Sequence, residues 1–328
     1  MSKIIERIEL EAGISDLVSI LSEKLSPTDL QSLLLEVYRI RSSRLQPAAV
    51  LSDYESNRFV RPAVASPLSL LRWEQIAFSH LPPEFLPIEL SPVCPLGTNS
   101  VVAQVDQNWA VSTARNTEVV SDSTNVLALE CALRRREILR VDPKSSATIH
   151  LAASHRLLRA QRFEGPLSFA HFSLFGLCSA GRDQGSLRFE LAALQMHVRF
   201  YLTALRAFLG SRVPLHFSVT NLGPDVRVKL IEDQLLSVIQ SEFAQVDCAW
   251  DEARTSGRGY YRDLCFHIHA TDTSGQLLQL ADGGSVDWTQ KYLSNAKERL
   301  VTSGIGSERL CAEFGEGESA NSELTTSE

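Results

Sequence analysis

The stretch Val301–Phe314, VTSGIGSERLCAEF, sets Gly304 and Gly306 just ahead of Arg309. Two glycines let a backbone pass close to a partner, and the arginine can reach into the same space. That space suits a nucleotide phosphate or another packed helix. Ser121-Asp122-Ser123-Thr124 forms an N-cap cluster for a helix expected from Asn125 to Leu139. His267-Ile268-His269 has the spacing of a metal pair on a strand face, but no third ligand stands at useful spacing, and the ordinary reading is a packed or solvated strand. Arg134, Arg135, Arg136 and Arg140 gather near a helix end, as an exposed face or as a contact for phosphate or an acidic partner.

These groups need a scaffold, and 328 residues with 44% apolar and 22% charged composition can supply a large core. The net charge of −7 disfavours a protein that coats nucleic acid. Six dispersed cysteines without a C-x-x-C pattern fit free thiols in a reducing compartment, so a cytoplasmic location is expected. The charged stretch Met1–Leu10 and the lack of a long apolar run predict neither signal peptide nor membrane span.

Residues 1–45 read as a helical hairpin, with Ile14, Leu17, Val18, Leu21 and Leu25 on one helix and Leu30, Leu33, Leu34, Val37 and Ile40 on the next. Ser26, Pro27 and Asp29 mark the second helix start. Residues 46–66 read as a linker with one short helix. Further helices are expected over Leu70–His80, Ser186–Leu209 and Val228–Phe243. Strands are expected in LPIELSPV, SVVAQVD, NWAVSTA, ATIHLAASHRLLRA, LSFAHFSLFGLCS, PLHFSVTN and DLCFHIHATD. Hairpin spacing without regular strand-helix alternation predicts an α+β fold with a mostly antiparallel sheet of six or seven strands. The polar, acidic tail, residues 315–328, is expected to be disordered.

Four stretches, in order, resemble the catalytic core of class II aminoacyl-tRNA synthetases over residues 67–314, in the branch of histidyl-tRNA synthetase and its paralogue, the regulatory subunit of ATP phosphoribosyltransferase. RWEQIAFSHLPPEFLPIELSPV, ending near Pro92, resembles motif 1, which builds a homodimer interface in that family. His155–Gly176 resembles the motif 2 hairpin: Arg159-Ala160-Gln161-Arg162-Phe163 stands where the family has R-x-E-R-P, followed by His171-Phe172 and Gly176. GRGYYRDLCFHIHATDTSGQLLQLADGGSVDWTQKYL resembles the histidine-specific block through Tyr260-Tyr261 and Asp282-Gly283-Gly284-Ser285-Val286-Asp287. Gly304-x-Gly306-x-x-Arg309 resembles motif 3. Ser256, Ser285 and Val286 replace an arginine, an arginine and a tyrosine of the family pattern.

The resemblance implies ATP binding, with Mg²⁺, and activation of an amino acid or related carboxylate as an adenylate. In this ligase-like chemistry Arg159 and Arg309 would be catalytic, clamping the α- and γ-phosphates. Gln161, His171, Gly304 and Gly306 would complete the ATP site. Asp122 and Thr124 would hold the substrate ammonium, with Tyr260, Tyr261, Gly283, Gly284 and Asp287 around the rest of the substrate. The family continues past motif 3 into an anticodon-binding domain, whereas this sequence runs into a short acidic tail, so ordinary tRNA charging is not expected. The other reading is a non-catalytic paralogue, a regulatory subunit or ligand sensor for an RNA or protein partner.

Overall fold

A computed structural model describes residues 2–161 and 168–315; Arg162 and Phe163 of the motif 2-like run, and residues 316–328 of the acidic tail, lie outside the described residues. Helix starts follow the local chemistry of the sequence. Helix α1 (Ser2–Ala12) stops at Gly13, whose φ of +65° ends the helical path. A left-handed Asp16 then precedes the short α2 (Leu17–Ser19), which widens into a π turn over Ile20–Lys24. The single helix expected ahead of Ser26 is therefore two pieces. Helix α3 (Pro27–Ser42) begins as its sequence predicts: the Ser26 hydroxyl accepts from the Asp29 amide, and Pro27 takes the first turn. Helix α4 (Pro47–Ser56) occupies the linker. Among the described residues, the first buried one is Ala65.

From there the core begins. Helix α5 (Pro67–Ser79) buries Trp73 and Ala77. The strand expected in LPIELSPV is reduced to β1 (Leu86–Pro87) and the start of β2 (Val93–Pro95), which pairs with β3 (Thr117–Val119). Between them the expected strands SVVAQVD and NWAVSTA are instead α6 (Ser100–Ala103) and a 3₁₀ turn, Gln107–Trp109. The cause is Glu118, fully buried, whose carboxylate accepts from Gly97 N, Asn99 N, Asn99 Nδ2 and Gln107 Nε2. Curling the chain around that acceptor satisfies a buried charge, which an extended path would leave stranded.

The remaining elements run α7 (Ser123–Val141), β4 (Ile149–Leu158), β5 (His171–Arg182), α8 (Arg188–Leu209), β6 (Leu215–Asn221), α9 (Val228–Ile231), α10 (Ser237–Glu242), β7 (Val246–Trp250), β8 (Leu264–Thr271), β9 (Leu277–Val286), α11 (Trp288–Leu293), β10 (Glu298–Ile305) and α12 (Ser307–Phe314). A π turn over Glu232–Leu236 interrupts the helix expected across Val228–Phe243. The main sheet has eight strands in the order β1-β4-β5-β10-β9-β8-β6-β7, against the six or seven expected. Only β1/β4 and β6/β7 pair parallel within it. The short edge strands β1 and β7 raise the count.

Register fixes which side chains meet. His267 lies opposite Asp282, Asp282 opposite Gly304, and Gly304 opposite Gly176, so these residues share one face. Helix α7 covers part of that face, with Ser123, Thr124 and Leu127 against Gly176. On the other face lies α8, whose buried His197 bonds Ser179 Oγ at 2.8 Å and Ser303 Oγ at 2.7 Å. Arg135, read in the sequence as part of an exposed cluster, is fully buried. It makes a bidentate pair with Glu298 at 2.7 and 2.9 Å, because the position faces β10 rather than solvent.

Candidate functional site

A cavity of about 490 Å³ opens on the α7 face of the sheet. Its walls include Asp122 and Thr124 at the start of α7, Arg159 after β4, Phe172 and Leu174 of β5, Tyr260 and Tyr261 before β8, and Gly304, Gly306 and Arg309 from β10 into α12. Asp282 of β9 forms part of the floor. A β-bulge at Leu280 shifts the β8/β9 register between Ile268 and His269. The bulge turns carbonyls toward α12: Leu280 O accepts from Gly306 N at 3.0 Å, and Gln279 O accepts from Arg309 Nη1 at 3.1 Å.

Arg159 is held on several sides. Its Nε donates to Ser121 O at 2.8 Å, its Nη2 pairs with Asp122 at 3.1 Å, and its guanidinium lies 5.1 Å from the Phe172 ring centre. Asp122 at the same time caps α7, accepting from Thr124 N at 2.9 Å and Thr124 Oγ1 at 2.7 Å. Arg309 makes no ion pair among the described residues. Burial lowers its pKa, and the nearby charge of Arg159 lowers it further. Two guanidinium groups that repel across a cavity are stabilised by an anion between them.

Asp282 has its pKa raised by burial, against the pull of Arg254, whose Nη2 stands 3.7 Å away. Burial likewise pushes the phenols of Tyr260 and Tyr261 well above their usual range. Tyr260 packs edge-on against Trp288 with centroids 5.2 Å apart, and against Tyr261 at 4.9 Å.

The sequence-derived candidates divide. Arg159, Arg309, Asp122, Thr124, Tyr260, Tyr261, Gly304 and Gly306 line one cavity. Gln161 lines an adjoining chamber of about 640 Å³, which shares Asp122, Arg159 and both tyrosines with the first. The others lie elsewhere. His171 bonds Arg61 O and Arg156 outside the cavity wall. Gly283 and Gly284 are buried within the sheet, where an added Cβ would lie 2.7 Å from Thr302 O and 2.6 Å from Leu264 O respectively. Asp287 pairs with Arg262 at 2.7 Å and Lys291 at 2.9 Å. His267 faces Asp251 at 3.9 Å, and no group of three metal-ligating side chains occurs among the described residues.

Arg254 was not singled out from the sequence. It is 4% exposed, donates to Phe266 O and Ser256 O at 2.9 Å, and stacks 5.5 Å from the Tyr261 ring centre. A positive φ of +75° at Gly257 makes the turn that folds Arg254 under Tyr261. The only signal in the sequence was two arginines, Arg254 and Arg258, close before the tyrosine pair.

No family model matches this chain, and no curated protein matches it. Solved structures do. The histidyl-tRNA synthetase of S. aureus aligns with a TM-score of 0.53 and 13% identity, over 76% of this chain and 68% of its own. An ATP phosphoribosyltransferase regulatory subunit/histidyl-tRNA synthetase from Bacillus halodurans C aligns at 0.57 and 13% identity, over 80% of this chain and 84% of its own. The RNA binding domain of threonyl-tRNA synthetase from Cryptosporidium parvum Iowa II aligns at 0.55 and 10% identity, over 75% and 63%. With its eight-stranded, mostly antiparallel sheet flanked by helices, this chain has the fold of the class II aminoacyl-tRNA synthetase core, as the histidyl enzymes do.

Proposed function

We propose that the cavity binds ATP together with an amino acid or related carboxylate and joins the two as an adenylate. One observation carries this reading: Arg159 and Arg309 line a single cavity with Asp122 and Thr124, although they are far apart in the chain. The volume lies within the range of small-molecule sites. The substrate carboxylate attacks the α-phosphorus, pyrophosphate leaves, and negative charge builds on the phosphoryl oxygens. Arg159 meets that charge with a planar pair of donors, while Arg309 holds the far end of the triphosphate. Asp122 neutralises the substrate ammonium and Thr124 orients it.

Mg²⁺ fits here in the manner of nucleotide sites, which hold the ion by one or two carboxylates and the substrate phosphates. Asp282, on the cavity floor, is the residue that would hold it, with Asp122 left to the substrate ammonium. The ion would supply charge neutralisation at the phosphates. The same reading carries a homodimer through the Pro92 segment, where Leu86, Val93 and Leu96 are exposed, and a cytoplasmic location. No helix of the described residues is long and apolar enough to cross a membrane.

A second reading, a ligand-sensing subunit that binds without turnover, draws on Ser285 and Val286. Both are buried, Ser285 Oγ accepting from Asp263 N and Val286 packing in the core, so neither supplies a charged or phenolic group to the cavity. An ATP–pyrophosphate exchange assay across the amino acids separates the two. Exchange with one acid is expected, and Arg159→Ala should lower it on the order of a hundredfold. Binding of ATP or of an amino acid without exchange selects the sensor, and no exchange with no ATP binding defeats the enzyme reading.

A further inference from the structure

The chemistry above uses neither His171 nor the segment that joins the N-terminal helices to the core, yet both touch the elements that carry the two arginines. Arg58 Nη2 donates to Ala160 O at 2.7 Å and reaches Gln161 O at 3.4 Å, just after Arg159. Across the same hairpin, His171 Nε2 bonds Arg61 O at 2.6 Å. Leu158 and His171 are the last cross-strand pair of β4 and β5, so residues 57–65 cross the hairpin where its ladder ends.

His171 has both ring nitrogens committed. A guanidinium only donates, so the 3.0 Å contact from Arg156 Nη1 makes Nδ1 the acceptor, and Nε2 must carry the proton that goes to Arg61 O. The network therefore gives the two ring nitrogens distinct roles, Nδ1 accepting and Nε2 donating. Arg156 continues the path, donating from Nη2 to Glu308 Oε2 at 2.9 Å. Glu308 is fully buried and also accepts from Ser173 N at 3.3 Å and Ala65 N at 3.4 Å. It stands in the first turn of α12, beside Arg309.

The sheet joins β5 to β10 only as far as the pair Phe175 and Ile305. Beyond it, α12 turns away and the hairpin runs on toward Arg159. Side chains bridge that gap.

We infer that His171, Arg156 and Glu308 are positioning residues that hold the Arg159 hairpin and the Arg309 helix at one spacing, latched by residues 57–65. The inference rests on the reading of the cavity as a triphosphate site. A triphosphate gripped at both ends demands a fixed distance between its clamps, so a loosened bridge should cost affinity although no ligand contact is removed.

The test uses the full chain as wild type, His171→Ala and His171→Gln, with ATP affinity by calorimetry and amide hydrogen exchange over residues 57–65 and 307–314. His171→Ala should weaken ATP on the order of tenfold, the worth of one charge-assisted hydrogen bond. It should also speed exchange in both segments. In His171→Gln the amide oxygen can accept from Arg156 and the amide nitrogen can donate to Arg61 O, so affinity should return to within about twofold. Wild-type affinity in His171→Ala overturns the positioning role, even if exchange rises. Should the wild type bind no ATP, the nucleotide reading fails by itself. Exchange then decides the bridge: faster exchange over 307–314 in His171→Ala supports it, and an unchanged rate removes it.

Discussion

At the scale of single residues, Asp122 serves two masters. Its Oδ1 caps α7 and its Oδ2 pairs with Arg159, so the same carboxylate fixes a helix start and sets a charge in the cavity. Asparagine caps a helix about as well as aspartate does. Asp122→Asn should therefore leave the fold intact and remove the partner for a substrate ammonium. Calorimetry should show amino-acid affinity lowered by roughly tenfold or more, with ATP affinity changed far less. Equal losses for both ligands would instead mean that Asp122 acts through Arg159. The sequence disclosed Asp122 and Thr124 because capping residues lie next to the helix they start. It did not disclose Arg254, since nothing local decides which of two nearby arginines, Arg254 or Arg258, turns inward; Gly257 and the ring of Tyr261 decide that in three dimensions.

At the scale of elements, α8 is bound to the back of the sheet by His197, which spans Ser179 of β5 and Ser303 of β10. Burial lowers its pKa from 6.5 to about 3. The unfolded chain takes up a proton near the ordinary value while the folded chain does not, so stability is lost as pH falls below about 6.5 and on toward 3. This one residue contributes a slope of up to about 1.4 kcal/mol per pH unit in that window. His197→Gln should flatten the unfolding free energy, taken from urea titrations and plotted against pH, by up to that slope between pH 6 and 4, and an unchanged slope would reject the assignment. Gly284 tests the opposite face of the same logic. An added Cβ meets Leu264 O at 2.6 Å and the Tyr261 ring at 2.7 Å, so Gly284→Ala should cost about 1–3 kcal/mol by chemical denaturation through overpacking. Strands β4, β5, β6 and β8 were legible because apolar residues recur at alternate positions along them, as Leu215, Phe217 and Val219 do on β6 and Leu264, Phe266 and Ile268 on β8. Strand β9 escaped as a strand because Asp282, Gly283 and Gly284 are poor strand formers, placed there by the close approach of β8 and β10. Helix α6 was misread because its cause, Glu118, lies on another element.

At the scale of the whole molecule, the N-terminal helices and the core are bound by different means. No described residue ahead of Ala65 is buried, and contacts such as Asn116 Nδ2 to Pro27 O, at 3.2 Å, add little apolar burial. Stability of the core should then depend on residues 57–65 and hardly at all on α1 to α4, because tolerance to truncation follows the burial and hydrogen bonding of what is removed. Deleting residues 1–56 should shift the thermal midpoint by only a few degrees and keep ATP affinity within about twofold. Extending the deletion through residue 66 takes away Arg58, the Arg61 carbonyl and the Ala65 amide, leaving His171 and the buried Glu308 each one partner short. That longer deletion should weaken ATP about as much as His171→Ala does, on the order of tenfold. If the shorter deletion already produces the full loss, the latch lies in the helices themselves. A loss confined to the longer deletion places it in the nine residues that cross the hairpin, where the chain enters its core and meets both arginine-bearing elements at once.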